Sequence, residues 1–195
     1  MKTDFALVVL MGMKHCGKTT VGKLLARKRN LVFQDLDSVV EALFTEKTGN
    51  NYSVREIYKI HGKEEFQKGE AEAIRYVLQR VLPDSKRKPL ILALGGGTIE
   101  NREALSLLDP FAVFIYLEEA EEVLLRRILQ KGIPSFLDPK NPEGEFHRLY
   151  LTRTALFASK AHRVVSTNGK SPEEVVEELN QRILPPTFGE YAGDQ

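Results

Sequence analysis

The chain has 195 residues, of which 42% are hydrophobic and 28% are charged, and its formal net charge is +1 at pH 7. This length and composition are typical of one globular domain with a substantial core, and we expect that domain to cover residues 1–185. The near-neutral charge argues against a nucleic-acid partner, and the apolar runs are too short to cross a membrane, so we expect neither association.

Cysteine content and the N-terminus bear on the cellular location. The single cysteine, Cys16, excludes an intrachain disulfide, and the first residues show no signal-peptide pattern. Both features predict a cytoplasmic protein. We also expect the chain to act as a monomer.

In chain order, short apolar runs alternate with segments of helical periodicity. Strands are predicted at residues 6–10, 31–33, 90–94, 112–117 and 163–166. Ser53 and Glu56 form a capping box that begins a short helix, and longer helices are predicted at residues 18–29, 64–82, 119–131 and 172–183. The alternation predicts an α/β fold in which helices cover both faces of a parallel sheet.

The stretch "GMKHCGKTT" follows the first predicted strand and matches the phosphate-binding pattern G-x-x-x-x-G-K-[ST]. Its glycines let backbone N–H groups turn toward a phosphate, and the helix that begins near Lys18 adds the positive end of its dipole. Lys18 would contact the β- and γ-phosphates of a nucleotide, and Thr19 would bind Mg²⁺. The nucleotide-binding set predicted from this motif is Gly12, His15, Cys16, Gly17, Lys18, Thr19 and Thr20.

Two aspartates follow the second predicted strand in the stretch "LVFQDLD". Asp35 and Asp37 are two residues apart, so on an extended chain their side chains would project from the same face. They lie at the carboxyl end of a strand, where ligands bind in open α/β sheets. One carboxylate could hold Mg²⁺ through water while the other accepts a proton from an attacking hydroxyl group. The alternative is that one of them only caps a helix beginning at Ser38.

Three consecutive glycines, Gly95, Gly96 and Gly97, follow the third predicted strand. Glycines leave backbone amides accessible to a small ligand, so this turn is predicted to line a ligand site; the alternative is a loose turn. The strand does not end in an acidic residue, which argues against motor ATPases and helicases.

The stretch "GIPSFLDPKNPEG", residues 132–144, contains three prolines and two glycines and interrupts the alternation. Long loops in compact domains often close over active sites, so we predict a lid at about residues 132–146. Residues 186–195 are predicted to form a flexible tail.

Taken in order, these motifs resemble those of the shikimate kinase family over nearly the whole chain. The matching segments are Gly12-x4-Gly17-Lys18-Thr19-Thr20-Val21-Gly22, Phe33-Gln-Asp35-Leu-Asp37, Gly62-x3-Phe66-x3-Glu70, Gly95-Gly96-Gly97, "VFIYLEEAEEVLLRR" and Arg153-x6-Lys160-Ala161. The resemblance implies a three-layer P-loop NTPase fold of the nucleoside-monophosphate-kinase type, with a five-stranded parallel sheet in the order 2-3-1-4-5. It also implies transfer of the γ-phosphoryl group of ATP to the 3-hydroxyl group of shikimate.

On the nucleotide side, the resemblance implies that Lys18 stabilises the transferred phosphoryl group. Thr19 would bind Mg²⁺, with Asp35 in the outer shell of the metal and joined to it through water. Arg127 would lie against the adenine ring. ATP and Mg²⁺ are therefore the expected co-substrate and cofactor.

On the acceptor side, the resemblance implies that Asp37 orients or deprotonates the reacting hydroxyl group. The three glycines would line the pocket, and Arg153 would bind the shikimate carboxylate. One departure falls here, because the family has a second carboxylate-binding arginine after the phenylalanine of G-x-x-x-F-R, and this chain has Gln67. Gln67 is expected to contact the acceptor there as a neutral hydrogen-bonding group.

The predicted lid carries a second departure. The family has an arginine there in an R-P-L-L motif, whereas this chain reads "GIPSFL", and Lys131 or Arg148 could substitute. These departures leave two alternatives open: a kinase with another hydroxylated acceptor, and a nucleotide-binding protein that has lost catalysis. The retained phosphate-loop lysine and both aspartates argue against lost catalysis.

Overall fold

The computed structural model describes residues 7–81, 89–130, 137 and 140–183. Its strands are β1 (Leu7–Met11), β2 (Val32–Asp35), β3 (Leu90–Ala93), β4 (Ala112–Glu118) and β5 (Arg163–Ser166). Within the described residues these five strands form one sheet in the order β2-β3-β1-β4-β5, and every pairing is parallel. The predicted strand order is confirmed.

Helices connect the strands and cover the sheet. They are α1 (Lys18–Arg29), α2 (Leu36–Thr48), α3 (Val54–Tyr76), α4 (Arg102–Leu108), α5 (Glu121–Leu129), α6 (Pro142–Lys160) and α7 (Pro172–Glu178). A short 3-10 helix lies at Thr98–Glu100, and π-helical turns at Val77–Val81 and Leu179–Ile183 extend α3 and α7. In the described part of the chain, no helix is both long and apolar enough to cross a membrane.

The centre of the sheet is an uninterrupted apolar core. All residues of β1 and β3 are buried, a pattern typical of parallel strands covered by helices on both faces. Helix α1 packs beside α7, whereas α3 packs against α2 and α4. Because parallel strands end at the same edge of a sheet, the segments that follow β1, β2 and β3 come together there.

The chain forms more helix than its periodicity predicts. Helix α3 begins after the predicted capping box of Ser53 and Glu56, and it continues across Gly62, whose backbone (φ 79°, ψ 179°) makes a kink. The short helix and the helix predicted at residues 64–82 are therefore one kinked helix. Helix α4 is missed by the periodicity because it has only seven residues; it begins where the Asn101 side chain accepts a hydrogen bond from the Ala104 N–H.

The predicted lid and tail fall largely outside the described residues. Residues 142–146 of the lid segment form the first residues of α6, and Leu137 is buried. Residues 132–136, 138–139 and 186–195 lie outside the described residues, so the lid and the tail stay predictions.

Gly22 allows α1 to lie close to the sheet. A Cβ atom added at this position would lie 2.4 Å from a ring carbon of Phe33 and 3.2 Å from a methyl carbon of Leu10. The first distance is far below an ordinary carbon–carbon contact, so any side chain here would have to displace the aromatic ring.

Gly22→Ala should lower the free energy of unfolding by about 1–3 kcal/mol, because overpacking a filled core displaces its neighbours. Gly69→Ala is the matched control: the nearest atom to its added Cβ, a methyl carbon of Val40, is 3.9 Å away, and alanine favours the helix. Urea unfolding should place the Gly22 variant below wild type and the Gly69 variant at or above it. Equal stability of the Gly22 variant and wild type would mean that Phe33 moves aside without cost.

Candidate active site

The phosphate loop joins β1 to α1 and depends on two glycines. Gly12 has φ 148°, and a Cβ atom there would lie 2.5 Å from the Leu117 carbonyl oxygen and 2.8 Å from Cys16 Sγ. Gly17 has φ 100° and directly precedes α1. His15 also has a left-handed backbone, with φ 67°. These conformations close the loop around the helix N-terminus, as a phosphate-binding site requires.

Lys18 lies in the first turn of α1, with only 8% of its surface exposed. Its ammonium group donates to the carbonyl oxygens of Gly12 and Met13, each at 2.9 Å, and lies 3.8 Å from Cys16 Sγ. The Cys16 side chain is itself buried inside the loop. Because the lysine side chain has several rotatable bonds, the ammonium group can leave these neutral carbonyls for a charged phosphate.

The two aspartates lie on different elements. Asp35 is the last residue of β2 and caps α2, because its Oδ1 accepts a hydrogen bond from the Asp37 N–H at 3.1 Å. Helix α2 therefore begins at Leu36 and not at Ser38, and Asp37 lies in its first turn. The extended-chain argument was wrong, since the chain turns between the two residues. Both side chains nevertheless line the same cleft.

Thr19 and Asp35 provide the oxygen donors that Mg²⁺ prefers. The Thr19 hydroxyl group is exposed at the start of α1 and donates to Asp35 Oδ2 at 2.6 Å. Mg²⁺ usually takes one or two protein oxygens and completes its shell with phosphates and water. In the described part of the chain, no group of three His, Cys, Asp or Glu side chains is placed to hold a metal. A magnesium ion at Thr19 and Asp35 would therefore depend on nucleotide phosphates.

Asp37 is an unusually basic carboxylate. Its pKa is raised from 3.8 to about 6, mainly because burial desolvates the carboxyl group and secondly because Asp35 is negatively charged; Lys18 and Lys14 oppose the shift. Gly95 packs against this group, since a Cβ atom there would lie 2.6 Å from Asp37 Oδ1. A carboxylate with this pKa can accept a proton near neutral pH.

The three glycines connect the phosphate loop to Arg153. A Cβ atom at Gly96 would lie 2.9 Å from the backbone nitrogen of Lys14, and one at Gly97 would lie 3.3 Å from Arg153 Nη2. A cleft of about 600 Å³ opens between the phosphate loop, the aspartates and these glycines. Its lining residues are Lys14, His15, Gly17, Lys18, Thr19, Thr20, Asp35, Asp37, Leu94, Gly95, Gly96, Arg127, Gln130 and Pro172.

Arg127 borders this cleft beside the phosphate loop. Its Nη1 atom donates to the His15 carbonyl oxygen at 2.9 Å and lies 3.1 Å from Glu119 Oε2. The Glu119 side chain is only 2% exposed, so the arginine is anchored on a buried anion. Pro172, at the start of α7, also borders this part of the cleft, and the sequence offers no local signal for it.

A buried polar cluster supports the segment after the three glycines. Glu70 is 2% exposed and accepts hydrogen bonds from Thr98 Oγ1 at 2.5 Å and from Asn101 Nδ2 at 2.9 Å. The same Asn101 amide donates to the Gln67 carbonyl oxygen at 2.8 Å. Gln67 is half-buried in α3, and it is not part of the cleft lining. Sequence reasoning gave Thr98 and Asn101 no role and named Glu70 only within the family motif, although an acidic residue at a buried helix position was a usable signal. The contact of Gln67 with an acceptor stays a prediction.

Arg153 is paired with an anion that sequence reasoning missed. Its Nε atom donates to Glu100 Oε1 at 2.8 Å, and the second oxygen of Glu100 accepts from Lys63 Nζ at 3.1 Å. The terminal guanidinium nitrogens face Gly97. Arg153 thus adjoins the glycine loop as part of a Lys63–Glu100–Arg153 chain.

A family model described as shikimate kinase matches residues 14–184 of this sequence. The chain belongs to the shikimate kinase family. Among curated shikimate kinases, that of Bradyrhizobium diazoefficiens is 30% identical over 95% of this chain and 83% of its own length. That of Thermodesulfovibrio yellowstonii is 33% identical over 88% of this chain and 91% of its own length.

Solved shikimate kinases share the fold. The shikimate kinase of Acinetobacter baumannii in complex with shikimate superposes with a TM-score of 0.75, at 27% identity, over 90% of each chain. That of Aquifex aeolicus gives a TM-score of 0.65, at 28% identity, over 89% of this chain and 92% of the other. The predicted family, the P-loop fold and the assignment as an ATP-dependent kinase are confirmed.

Asp37→Asn should stabilise this shikimate kinase homologue at neutral pH. A carboxyl group whose pKa is higher in the folded chain than in the unfolded chain favours folding only while it is protonated. Its ionisation therefore lowers the free energy of unfolding as pH rises from 3.8 to about 6. Because the group is only partly buried, we expect the amide to raise that free energy by about 1–2 kcal/mol above this window.

Urea unfolding at about pH 4 and about pH 7.5 measures the effect, which should be small at the lower pH. Asp109→Asn is the control, since this exposed carboxylate pairs with Lys160 and its loss should not stabilise the fold at either pH. A gain of equal size at both pH values for the Asp37 variant would show that ionisation of Asp37 is not its cause.

Proposed function

We propose that this kinase transfers the γ-phosphoryl group of ATP to the 3-hydroxyl group of shikimate and so produces shikimate 3-phosphate, a step of aromatic amino acid biosynthesis. The observation that carries the proposal is the meeting of a basic carboxylate, Asp37, with the phosphate loop and the glycine loop in one cleft. The named relatives and the shikimate complex of the Acinetobacter baumannii protein support the choice of acceptor.

On the nucleotide side, the amides of the phosphate loop and the Lys18 ammonium group hold the phosphates. Lys18 stabilises the charge that develops on the transferred group, and that stabilisation is the main means of catalysis in phosphoryl transfer. Thr19 and Asp35 would hold Mg²⁺, which neutralises phosphate charge when it is bound. Arg127 and Pro172 flank the position of the adenine ring, and the exposed Thr20 lies beside the phosphates.

On the acceptor side, the hydroxyl oxygen attacks the γ-phosphorus while the bond from that phosphorus to the ADP oxygen breaks. The hydroxyl proton passes to Asp37, whose raised pKa makes it a stronger base than an ordinary carboxylate. The backbone of the glycine loop lines the acceptor pocket. Arg153 presents its terminal nitrogens to the acceptor carboxylate beside Gly97.

The segment at residues 132–146 would close over bound nucleotide and exclude water. A basic residue would replace the missing lid arginine. Arg148, which is exposed on α6 and lies within the described residues, is the candidate for this role. The protein would act as a monomer in the cytoplasm.

The decisive experiment measures ADP release with Mg·ATP across a panel of hydroxy acids and sugars that includes shikimate. Shikimate should be the preferred acceptor, and Lys18→Ala should reduce kcat by about 10²- to 10³-fold. Lys28→Ala, which removes a surface cation of the same helix, should be nearly silent. Preference for another acceptor would assign a different substrate, and tight ATP binding without any turnover would indicate lost catalysis.

Asp37→Asn should reduce kcat by about 10²- to 10⁴-fold and leave KM for ATP nearly unchanged, because an amide cannot accept the proton. In the wild-type enzyme, kcat/KM for the acceptor should rise with pH through about 6 as Asp37 ionises, and the variant should lack this rise. The same pH profile in both proteins would exclude Asp37 as the base.

A further inference from the structure

We propose that Lys63 supplies the second positive charge for the acceptor carboxylate, in place of the arginine that Gln67 replaces. This inference rests on the proposed function, because it needs an acceptor that carries a carboxylate. It assigns a substrate-specificity role to a residue outside the cleft lining, and it explains how a pocket without the second arginine can still attract an anion.

The position of Lys63 on α3 is the first argument. Lys63 and Gln67 are four residues apart, so they lie on the same face of the helix one turn from each other. Asn101 donates to the Gln67 carbonyl oxygen, which fixes this face against the segment that contains Glu100. A lysine side chain is long enough to reach the neighbourhood of a residue one helical turn away.

The Glu100 carboxylate is the second argument, because it holds both cations at once. Lys63 Nζ lies 3.1 Å from Glu100 Oε2, and Arg153 Nε lies 2.8 Å from Glu100 Oε1. Since one carboxylate separates them, the two positive groups border the same small region. Arg153 uses its Nε edge for this contact, so its terminal nitrogens remain directed at Gly97 and the acceptor pocket.

Charge balance is the third argument. Arg153 and Glu100 together carry no net charge, and a neutral pair attracts a carboxylate weakly. Lys63 raises the charge of the group to +1. The Lys63 side chain is 57% exposed, whereas those of Glu100 and Arg153 are 22% and 16% exposed. Its attraction for the acceptor is therefore screened by water and salt, so the effect should be modest.

Steady-state kinetics of Lys63→Gln with Mg·ATP and shikimate test the inference. KM for shikimate should rise about three- to tenfold, while kcat and KM for ATP stay near wild type. Lys63→Arg should keep the wild-type KM because it keeps the charge. Lys68→Gln is the matched control, since it removes an exposed cation of the same helix that pairs with Glu65 instead.

Two further measurements separate a charge effect from a structural one. Added NaCl should raise KM for shikimate more in wild type than in Lys63→Gln, because salt screens the charge that the variant lacks. Gln67→Arg introduced into the Lys63→Gln protein should restore acceptor binding, since it returns a cation to the same helix face.

The outcomes distinguish this inference from the proposed function. A wild-type enzyme that phosphorylates shikimate, with an unaltered KM in Lys63→Gln, would overturn the role of Lys63 alone and leave the function intact. A Lys63→Gln variant that loses kcat or binds ATP poorly, or that Gln67→Arg does not rescue, would also overturn it, because Lys63 would then be a structural residue. A wild-type enzyme that does not use shikimate would overturn both proposals.

Discussion

The site depends on a backbone segment that leaves no room for side chains. Gly95 lies against the Asp37 carboxylate and Gly96 against the backbone of Lys14, so the thickness of one chain separates the proposed base from the phosphate loop. The sheet order enforces this arrangement, because β3 lies between β2 and β1. A side chain at either glycine would move the base away from the phosphates, and phosphoryl transfer requires both groups within reach of the reacting oxygen.

The same close packing brings the carboxylates of Asp35 and Asp37 near each other, and the two groups have different surroundings. Asp35 accepts hydrogen bonds from the Thr19 hydroxyl group and from the Asp37 N–H. Asp37 is half-buried beside that charge, and its pKa rises to about 6. Asp35 is thus a hydrogen-bonded cap at the proposed metal position, and Asp37 has a raised pKa at a cost in stability. Such a loss of stability at a catalytic group is common in enzymes, and it fits the role proposed for Asp37.

Short sequence motifs predicted the parts of the site that are formed by residues close together in the chain. The phosphate loop follows from one strand, one glycine pattern and one helix start, and the meeting of the loop, the aspartates and the glycines follows from parallel strands. The place of Asp37 in a helix was not predicted, because the Asp35 cap begins α2 earlier than the sequence suggested. The raised pKa could not be predicted, since it depends on burial beside a glycine far along the chain.

The contacts of Glu100 with Lys63 and Arg153 could not be predicted either, because they join segments that are far apart in the chain. Lys63 and Arg153 are 37 and 53 residues from Glu100, and only the packing of α3 and α6 around the 3-10 helix joins them. The sequence therefore showed the loss of an arginine at Gln67 but could not show where a replacement charge would come from.

Under this proposal, Lys63 takes over the positive charge that the family pattern places at position 67. An arginine offers two parallel hydrogen bonds in a fixed plane, whereas a lysine is a flexible point charge. In the proposed exchange, moving the second cation from position 67 to Lys63 would keep the attraction for a carboxylate but would give up control of its orientation. The acceptor would then be oriented by the groups proposed to contact its hydroxyl side, namely Asp37 and the glycine loop. In this chain the carboxylate contacts would set how tightly the acceptor binds, while the hydroxyl contacts would decide which acceptor reacts.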